Sequence, residues 1–425
     1  MIVFKFGGAS VKDASAIKNV ASILSLFSEE KKLVVISAMG KTTNLLEEII
    51  QALKEKNHQK YDLLREQCYD FHLTILEELF PEKHFKIYQQ IDSIFEKLDE
   101  KKEGYFSDNF AFEYDQIASL GELFSTLIVE AFLREQNEKS VWIDARKLVR
   151  TDNNYRDANV DWTKTEELIT TNVLPLFKNS DTIITQGFVG HTVEGFTTTL
   201  GREGSDYTAG IFAYCLNAKD VTIWKDVPGM LNADPKWFDD TIKLDKISFK
   251  EAIELAYYGA SVIHPKTIKP LQNKNIPLLV KSFVNPHAEG TTIQESTEFD
   301  HLVPSFIFKM KQVLFSITPR NFSFIVEENL SRIFNQLSGI GAKINLMQNS
   351  ALSFSFALDQ EKIDIEAVYN LFKDEYEIRY NENLELVTIR HYNLETIERV
   401  TVQKEMILEQ KTRQTIRILM KDAVS

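Results

Sequence analysis

Residues 183–210 read IITQGFVGHTVEGFTTTLGREGSDYTAG, and this run concentrates the residue types that handle an anion. It begins like the end of a buried strand and closes like the start of a helix. Between the two lie Gly187, Gly190, Gly195, Gly201 and Gly204, with Arg202 and Asp206 beside the last of them. Glycine reaches backbone angles that other residues resist and admits a ligand close to the main chain. A strand-to-helix turn of this composition points to a loop shaped for an anionic substrate at the mouth of an α/β sheet. Any two of these glycines taken alone would equally suit an unliganded surface turn.

Three further stretches offer matching chemistry. Lys5-Phe6-Gly7-Gly8 closes a strand and opens a helix, so Gly7 and Gly8 can present backbone N–H groups to a phosphate with Lys5 aimed from the strand end; plain α/β packing produces the same layout. The strand at 33–36 runs into Ser37-Ala38-Met39-Gly40-Lys41-Thr42-Thr43-Asn44, whose hydroxyls are placed to donate to an anion, although Thr43 or Asn44 can instead cap the next helix. Glu122, beside Gly121 near a helix start, is either a dipole partner or a carboxylate that holds an ammonium group.

The elements that must position these residues follow from periodicity. Strands at 2–6, 33–36, 141–145, 221–224 and 276–281 alternate with helices at 161–177, capped by Asp161 or Thr163, and at 248–258, ended by Gly259. This implies a three-layer α/β/α fold with a mostly parallel sheet. Residues 47–117 are charged and helix-forming; their charge runs, such as Glu96 to Glu103, read as solvated helix faces, and His58, His72 and His84 as surface or packing residues. Residues 225–236 form a Pro- and Gly-punctuated loop, and 289–304 are polar and turn-rich. Beyond them the order is strand 312–317, helix 328–337, strands 342–347 and 352–358, helix 363–372 and strand 376–380, the ferredoxin-like β-α-β-β-α-β unit. Residues 384–420 carry strand, helix and strand signals, a shortened second copy by pattern only. The expected domains are 1–295, 305–381 and 382–425.

Bulk properties bound the function. A chain of 425 residues implies two or three domains. A hydrophobic fraction of 44% with 26% charged residues is that of an ordinary soluble globular protein. The net charge of -13 without a long basic run excludes a general nucleic-acid binder, while a few focused cations can still bind an anion. Cys68 and Cys215 sit in unrelated contexts, which gives neither a disulfide framework nor a metal knuckle and fits a reducing compartment. The chain opens directly in a strand, with no signal-peptide pattern, and no apolar run is expected to span a bilayer. A cytoplasmic protein with no membrane partner is the resulting expectation.

Taken together, KFGGAS at 5–10, SAMGKTTNLL at 37–46, SLGELFS at 119–125, TQGFVG and TTTLGREGSD in the central run, then DVPG, NADP and ELAYYGASVIHPKTI resemble the aspartate kinases in content, order and spacing, over nearly the whole chain. The resemblance implies an amino-acid-kinase catalytic domain followed by two ACT-type regulatory domains. It also implies transfer of the γ-phosphoryl group of ATP to the side-chain carboxylate of L-aspartate, giving 4-phospho-L-aspartate, the entry step to lysine, threonine and methionine synthesis. Transfer between two anions is governed by charge and positioning. By similarity, Lys5 spans the phosphates, helped by backbone donors at Gly7 and Gly8 and by Ser37. Arg202 grips aspartate as a bidentate partner, Thr43, Ser205 and Phe188 complete its pocket, and Glu122 pairs with its α-ammonium. Asp206 orients Lys5, because an acceptor carboxylate is already ionised and needs no general base. Mg2+ rides on the nucleotide, with no dedicated carboxylate cage in the sequence. A homodimer through the ACT domains and an amino-acid effector are implied as well. Asn345, Gln348, Asn349 and Ser350 are effector candidates, or else strand-end polar residues satisfying one another at a dimer interface, and the loop at 322–329 lacks the glycine common at such sites.

Several positions depart from the family's commoner pattern. Glu203 stands where many members have glycine, so its side chain is expected to point away from the anion site. In the nucleotide pocket, expected at Lys225, Asp226, Leu231, Lys236 and Ser261, Lys225 replaces a frequent threonine, Leu231 an aromatic residue, Lys236 an arginine and Ser261 a lysine. Lys225 and Lys236 are expected to supply the cationic contacts that Ser261 cannot, unless Lys225 is merely an exposed loop lysine. Two other readings compete: a catalytically silent amino-acid sensor, and a sister kinase with another acceptor. Against them stand SLGELFS together with LGREGSD and an ACT tail, and the presence of Lys5, Thr43, Glu122, Arg202 and Asp206.

Overall fold

Uninterrupted apolar runs mark strands covered on both faces, and such runs lie at the centre of the larger sheet. The computed structural model describes residues 1–82, 85–136, 138–260 and 263–423. Residues 1–230, 243–256 and 261–300 form one compact unit, and residues 231–242, 257–260 and 301–425 the other. The first unit holds β1 (Ile2–Phe6), β2 (Lys32–Ile36), β3 (Ser140–Ile143), β4 (Thr182–Gln186), the hairpin strands β5 (Val189–His191) and β6 (Thr197–Thr199), then β7 (Val221–Lys225), β8 (Lys246–Ser248), β9 (Leu278–Ser282) and β10 (Thr291–Gln294). Apart from the hairpin they form one sheet in the order β3-β4-β2-β1-β7-β9-β10-β8. Neighbours run parallel except β9 and β10, which is the expected mostly parallel sheet flanked by helices.

The register positions the site. Phe6 lies opposite Ile36 and Trp224, and Ile36 opposite Gln186. The carboxyl ends of β4, β2, β1 and β7 are therefore level, and the four turns that follow them lie side by side. Phe6 stacks on Trp224 at 5.9 Å, and Phe4 meets Phe27 edge-on at 4.9 Å.

Helix boundaries follow local chemistry. Asp13 accepts from the Ala16 N–H at 2.8 Å and starts the helix Ala14–Ser25, after a 3-10 turn over Gly8–Val11. Asp161, not Thr163, caps the helix Trp162–Val173, which gives way at Pro175 to the 3-10 turn Leu174–Lys178. His72 is fully buried with Nδ1 2.7 Å from the Cys68 carbonyl oxygen, and burial pushes its pKa down to about 4. One expectation needs correction: the helical run 110–135 is long and apolar enough to cross a membrane by length and composition, but 89% of its most apolar window is buried inside the protein. Its apolar faces are covered by neighbouring helices and strands.

The second unit is an antiparallel sheet of β11 (Ser305–Pro319), β12 (Ile344–Asn349), β13 (Phe354–Asp359), β14 (Tyr376–Arg390), β15 (Lys404–Lys411) and β16 (Thr415–Asp422), ordered β12-β13-β11-β14-β16-β15. The helices Glu327–Gly339, Ile365–Phe372 and Leu394–Thr401 complete it. A register shift between Lys309 and Leu314 divides the long β11–β14 pair. One half pairs with β13 over a core of Phe315, Phe356, Ile333 and Val368, and the other with β16 over Val387, Ile389, Ile416 and Ile418. A boundary at 381/382 falls inside β14. The second lobe is not built from 382–425 alone, because residues 305–309 supply one of its strands, and two strands, not one, follow its helix. Phe238 stacks on Phe306 at 4.6 Å, which ties residues 231–242 to this unit.

Candidate active site

The four level turns border a cleft of about 480 Å³. From β1 and the turn after it come Lys5 and Gly8, from the turn after β2 and the helix it opens Ser37 and Thr43, from the turn after β4 Phe188, and from the end of β7 Lys225. The helix Gly204–Leu216 points its first turn into the cleft with Ser205 and Asp206. Two glycines let these parts approach. A Cβ on Gly8 would stand 2.8 Å from the carbonyl oxygens of Ala38 and Gly40, and one on Gly187 2.4 Å from Ser205 Cβ. Phe188 has a left-handed backbone, φ 70°, and its N–H donates to Thr208 Oγ1 at 2.9 Å.

Opposed charges organise the floor. Lys5 Nζ lies 2.6 Å from Asp206 Oδ1, and Lys225 Nζ 3.6 Å from Oδ2. Burial pushes the Asp206 carboxyl up, but the two lysines outweigh it and hold the group below the usual carboxylate range. Glu122 has no such cation in contact among the described residues. Its Oε1 accepts from the Ala38 N–H at 3.3 Å, and its buried Oε2 has no hydrogen-bond partner among the described residues. Burial, only partly countered by the Ala38 N–H and the charge of Lys5, raises its pKa to about 8. An enclosed carboxylate with one unmatched oxygen is a ready receptor for an ammonium group. Arg202 lines the same cleft with its side chain exposed and no ion pair among the described residues, free to grip a carboxylate. Thr43 sits in the first turn of the helix Thr42–Lys54, whose cap position is Lys41 without a side-chain bond. Its hydroxyl therefore does no capping and faces the cleft.

Glu203 corrects an expectation. Its side chain does not point away: it lines the cleft with Oε2 buried, near Lys225, Asp206 and Arg202. The cation that draws it there, Lys225, arrives from the end of β7, a strand distant in sequence.

Other expected residues lie elsewhere. Gly7 sits beneath the Lys5 side chain, where a Cβ would be 3.3 Å from Nζ. Asp226 is exposed just past β7 and does not line the cleft. Leu231 and Lys236 belong to the second unit, where the Lys236 N–H donates to Asp234 Oδ1 at 2.9 Å. Ser261 and His84 lie outside the described residues. Asn345 is engaged on both sides of its amide, accepting from Lys309 and donating to Gln312, each at 2.8 Å. Ser350 pairs with Ser353 at 2.7 Å, while Gln348 and Asn349 are exposed on the edge strand β12.

Two cleft residues carried no motif. Arg156, at φ 71°, lies over the Tyr114 ring at 4.3 Å, and its N–H donates to the buried Asp115 carboxylate at 3.0 Å. Asp115 also accepts from Thr199 N–H at 2.8 Å and Thr199 Oγ1 at 2.7 Å; burial nevertheless raises its pKa to about 6. The polar turn at 153–157 was the only signal.

The amino acid kinase family model matches residues 1–282. The lysine-sensitive aspartokinase 3 of Escherichia coli is 35% identical over 361 residues, covering 84% of this chain and 78% of that protein. A bifunctional chloroplastic aspartokinase/homoserine dehydrogenase of Zea mays is 28% identical over 85% of this chain, which spans 40% of its length. Among solved structures, E. coli aspartokinase III in complex with lysine and aspartate (T-state) superposes with a TM-score of 0.82 at 29% identity, covering 99% of this chain and 95% of that one. The complex of that enzyme with aspartate and ADP (R-state) gives 0.77 at 28% identity, covering 99% and 96%.

Proposed function

We infer, for a chain that belongs to the amino acid kinase family and within it to the aspartokinases, that it transfers the γ-phosphoryl group of ATP to the side-chain carboxylate of L-aspartate. The observation that carries the reading is one cleft holding the Lys5–Asp206 pair, an unpaired arginine and a buried carboxylate with an unmatched oxygen. An aspartate oxygen attacks the γ-phosphorus, the bond to the β–γ bridging oxygen breaks, and ADP leaves with 4-phospho-L-aspartate formed. In our assignment Glu122 receives the α-ammonium and Arg202 the α-carboxylate, with Thr43, Ser205 and Phe188 closing the pocket. Lys5 neutralises charge on the transferring group, with Asp206 fixing its direction and the Gly8 and Ser37 turns offering donors to the phosphates. Lys225 adds a second cation to the phosphate side.

Among the described residues no cluster of three or more His, Cys, Asp or Glu side chains is placed to hold a metal ion. We therefore assign Mg2+ to the nucleotide phosphates, whose charge it would neutralise. Residues 1–295 are proposed as the catalytic part and 305–425 as the regulatory part. Feedback by an amino acid such as lysine is assigned to the latter, with Gln348 and Asn349 the effector candidates whose side chains have no partner among the described residues. Pairing of two chains through the exposed edge strand β12 would give a homodimer. Two buried free cysteines suit a reducing cytoplasm.

The test is ATP-dependent hydroxamate formation with L-aspartate, with L-glutamate and without acceptor, each with and without lysine, threonine or methionine. Activity only with aspartate is expected. None with aspartate would sink the reading.

A further inference from the structure

Glu203 is a cleft residue that the reaction derived above leaves unused. It precedes the first turn of the helix Gly204–Leu216 in left-handed backbone, φ 53°. That conformation disfavours any residue with a Cβ and persists only where its surroundings enforce it. Its side chain then turns into the cleft, where Oε2 is shut off from solvent without a hydrogen-bond partner among the described residues. What surrounds it is charge. Burial pushes its carboxyl pKa up; against this Lys225 draws the charged form most strongly, Arg202 and the backbone N–H of His264 favour it as well, and Asp206 repels it.

Its place along the sheet says which substrate it faces. Glu122 meets the turn after β2 through Ala38, whereas Lys225 closes β7 on the far side of β1. Lys5, on β1, stands between the two. A carboxylate coupled chiefly to Lys225 thus belongs to the end of the cleft away from the ammonium receptor, where the phosphates of a nucleotide would lie. There it repels the same ligand that Lys225 attracts.

We propose that Glu203 is a resident anion of the phosphate subsite: in the empty cleft it balances Lys225, and an incoming ATP must take over that cation, so this residue sets nucleotide affinity. It is a positioning residue that acts through Lys225, and the proposal rests on the kinase reading above. It also gives a reason for two unusual charges to occur together, since Glu203 without Lys225 would stand beside the Asp206 carboxylate with one cation fewer.

The experiment is a double-mutant cycle. Glu203→Gln should lower the KM for ATP by about three- to tenfold while the KM for aspartate moves less than about twofold. Lys225→Ala should raise the KM for ATP, by a larger factor in the Glu203→Gln background than in the parent, because no carboxylate there competes for the lysine. Glu203→Gly removes the charge and the left-handed strain together, so it should match the Gln variant in ATP affinity and melt no lower than the parent. Calorimetric binding of ATP to each protein reads the same quantity without turnover. A parent that binds ATP but fails to phosphorylate aspartate would therefore overturn the kinase reading and leave this inference open to its own test. ATP affinity within about twofold of the parent in both Glu203 variants, or a change confined to aspartate, overturns it.

Discussion

Glu122 allows a prediction with two opposite signs. Its carboxyl is enclosed in the helix Leu120–Glu135 with Oε2 unmatched, and burial raises its pKa from 4.5 to about 8. Between those values the folded protein keeps a proton that the unfolded chain has released. Stability from this group is thus complete below pH 4.5 and declines as pH rises through 8. The slope is about 1.4 kcal/mol per pH unit and halves as pH reaches 8, which gives about 2.3 kcal/mol from pH 6 to pH 8. Glu122→Gln keeps the shape and escapes the loss. Without ligand, the melting-temperature gap between variant and parent should widen in the variant's favour by about 4 °C from pH 6 to pH 8 for a unit of this size. Aspartate reverses the order, because its ammonium supplies the partner that the charged form lacks. Binding to the parent should release a proton and tighten by about an order of magnitude or more between pH 6 and pH 8. The variant should lose about 2–4 kcal/mol of aspartate affinity. Scanning calorimetry at the two pH values and titration calorimetry in buffers of different ionisation enthalpy read both effects. A variant less stable than the parent at pH 8 without aspartate, or pH-independent aspartate binding, would refute the assignment.

Three further substitutions probe the frame around it. Asp206→Asn removes the carboxylate shared by Lys5 and Lys225, and steady-state kinetics should show kcat reduced by at least about a hundredfold; a loss below tenfold would remove Asp206 from the positioning of Lys5. Asp115→Ala strands the donors of Thr199 and Arg156 and should destabilise the protein by about 2–3 kcal/mol in urea melts, with a raised KM for aspartate as Arg156 shifts. Gly187→Ala drives a methyl to 2.4 Å from Ser205 Cβ, an overpacking of about 1–3 kcal/mol that should raise the KM for aspartate more than that for ATP. Equal effects on both substrates would speak for general loosening.

What the sequence made legible was local. Strands covered on both faces announce themselves as apolar runs, and the turns that close β1, β2 and β4 carry glycines and hydroxyls whose spacing can be read directly. Interactions that depend on distant partners could not be read so. Glu113 and Asp115 lie in a charged, helix-forming segment with no motif around them, yet both are buried, Glu113 against Lys101 and the Ser107 N–H, Asp115 against Thr199 and Arg156. Glu203 turns toward the anion site because Lys225 favours it there, a partner 22 positions away that its neighbours in sequence do not reveal. The register shift near Gln312, with neither glycine nor proline to mark it, hid the strand that 305–309 lend to the second lobe. Leu231 and Lys236 were placed by motif, but the stacking of Phe238 on Phe306 assigns their segment to the other unit.

The same alternation that builds the core also aims the lysine of β1. Phe4 and Phe6 share one face of that strand, against Phe27 and Trp224. Strand geometry sends Lys5 to the other face, and there Asp206 in the first turn of the helix Gly204–Leu216 receives it at 2.6 Å. A slip of one residue between β1 and its neighbours would press the ammonium into aromatic rings and leave Asp206 buried with one lysine fewer. Correct register is thus enforced twice, by apolar burial on one face and by charge pairing on the other. A buried ion pair is weak evidence for net stability. Here its contribution is direction, because it holds an ammonium at the level where four strand ends meet.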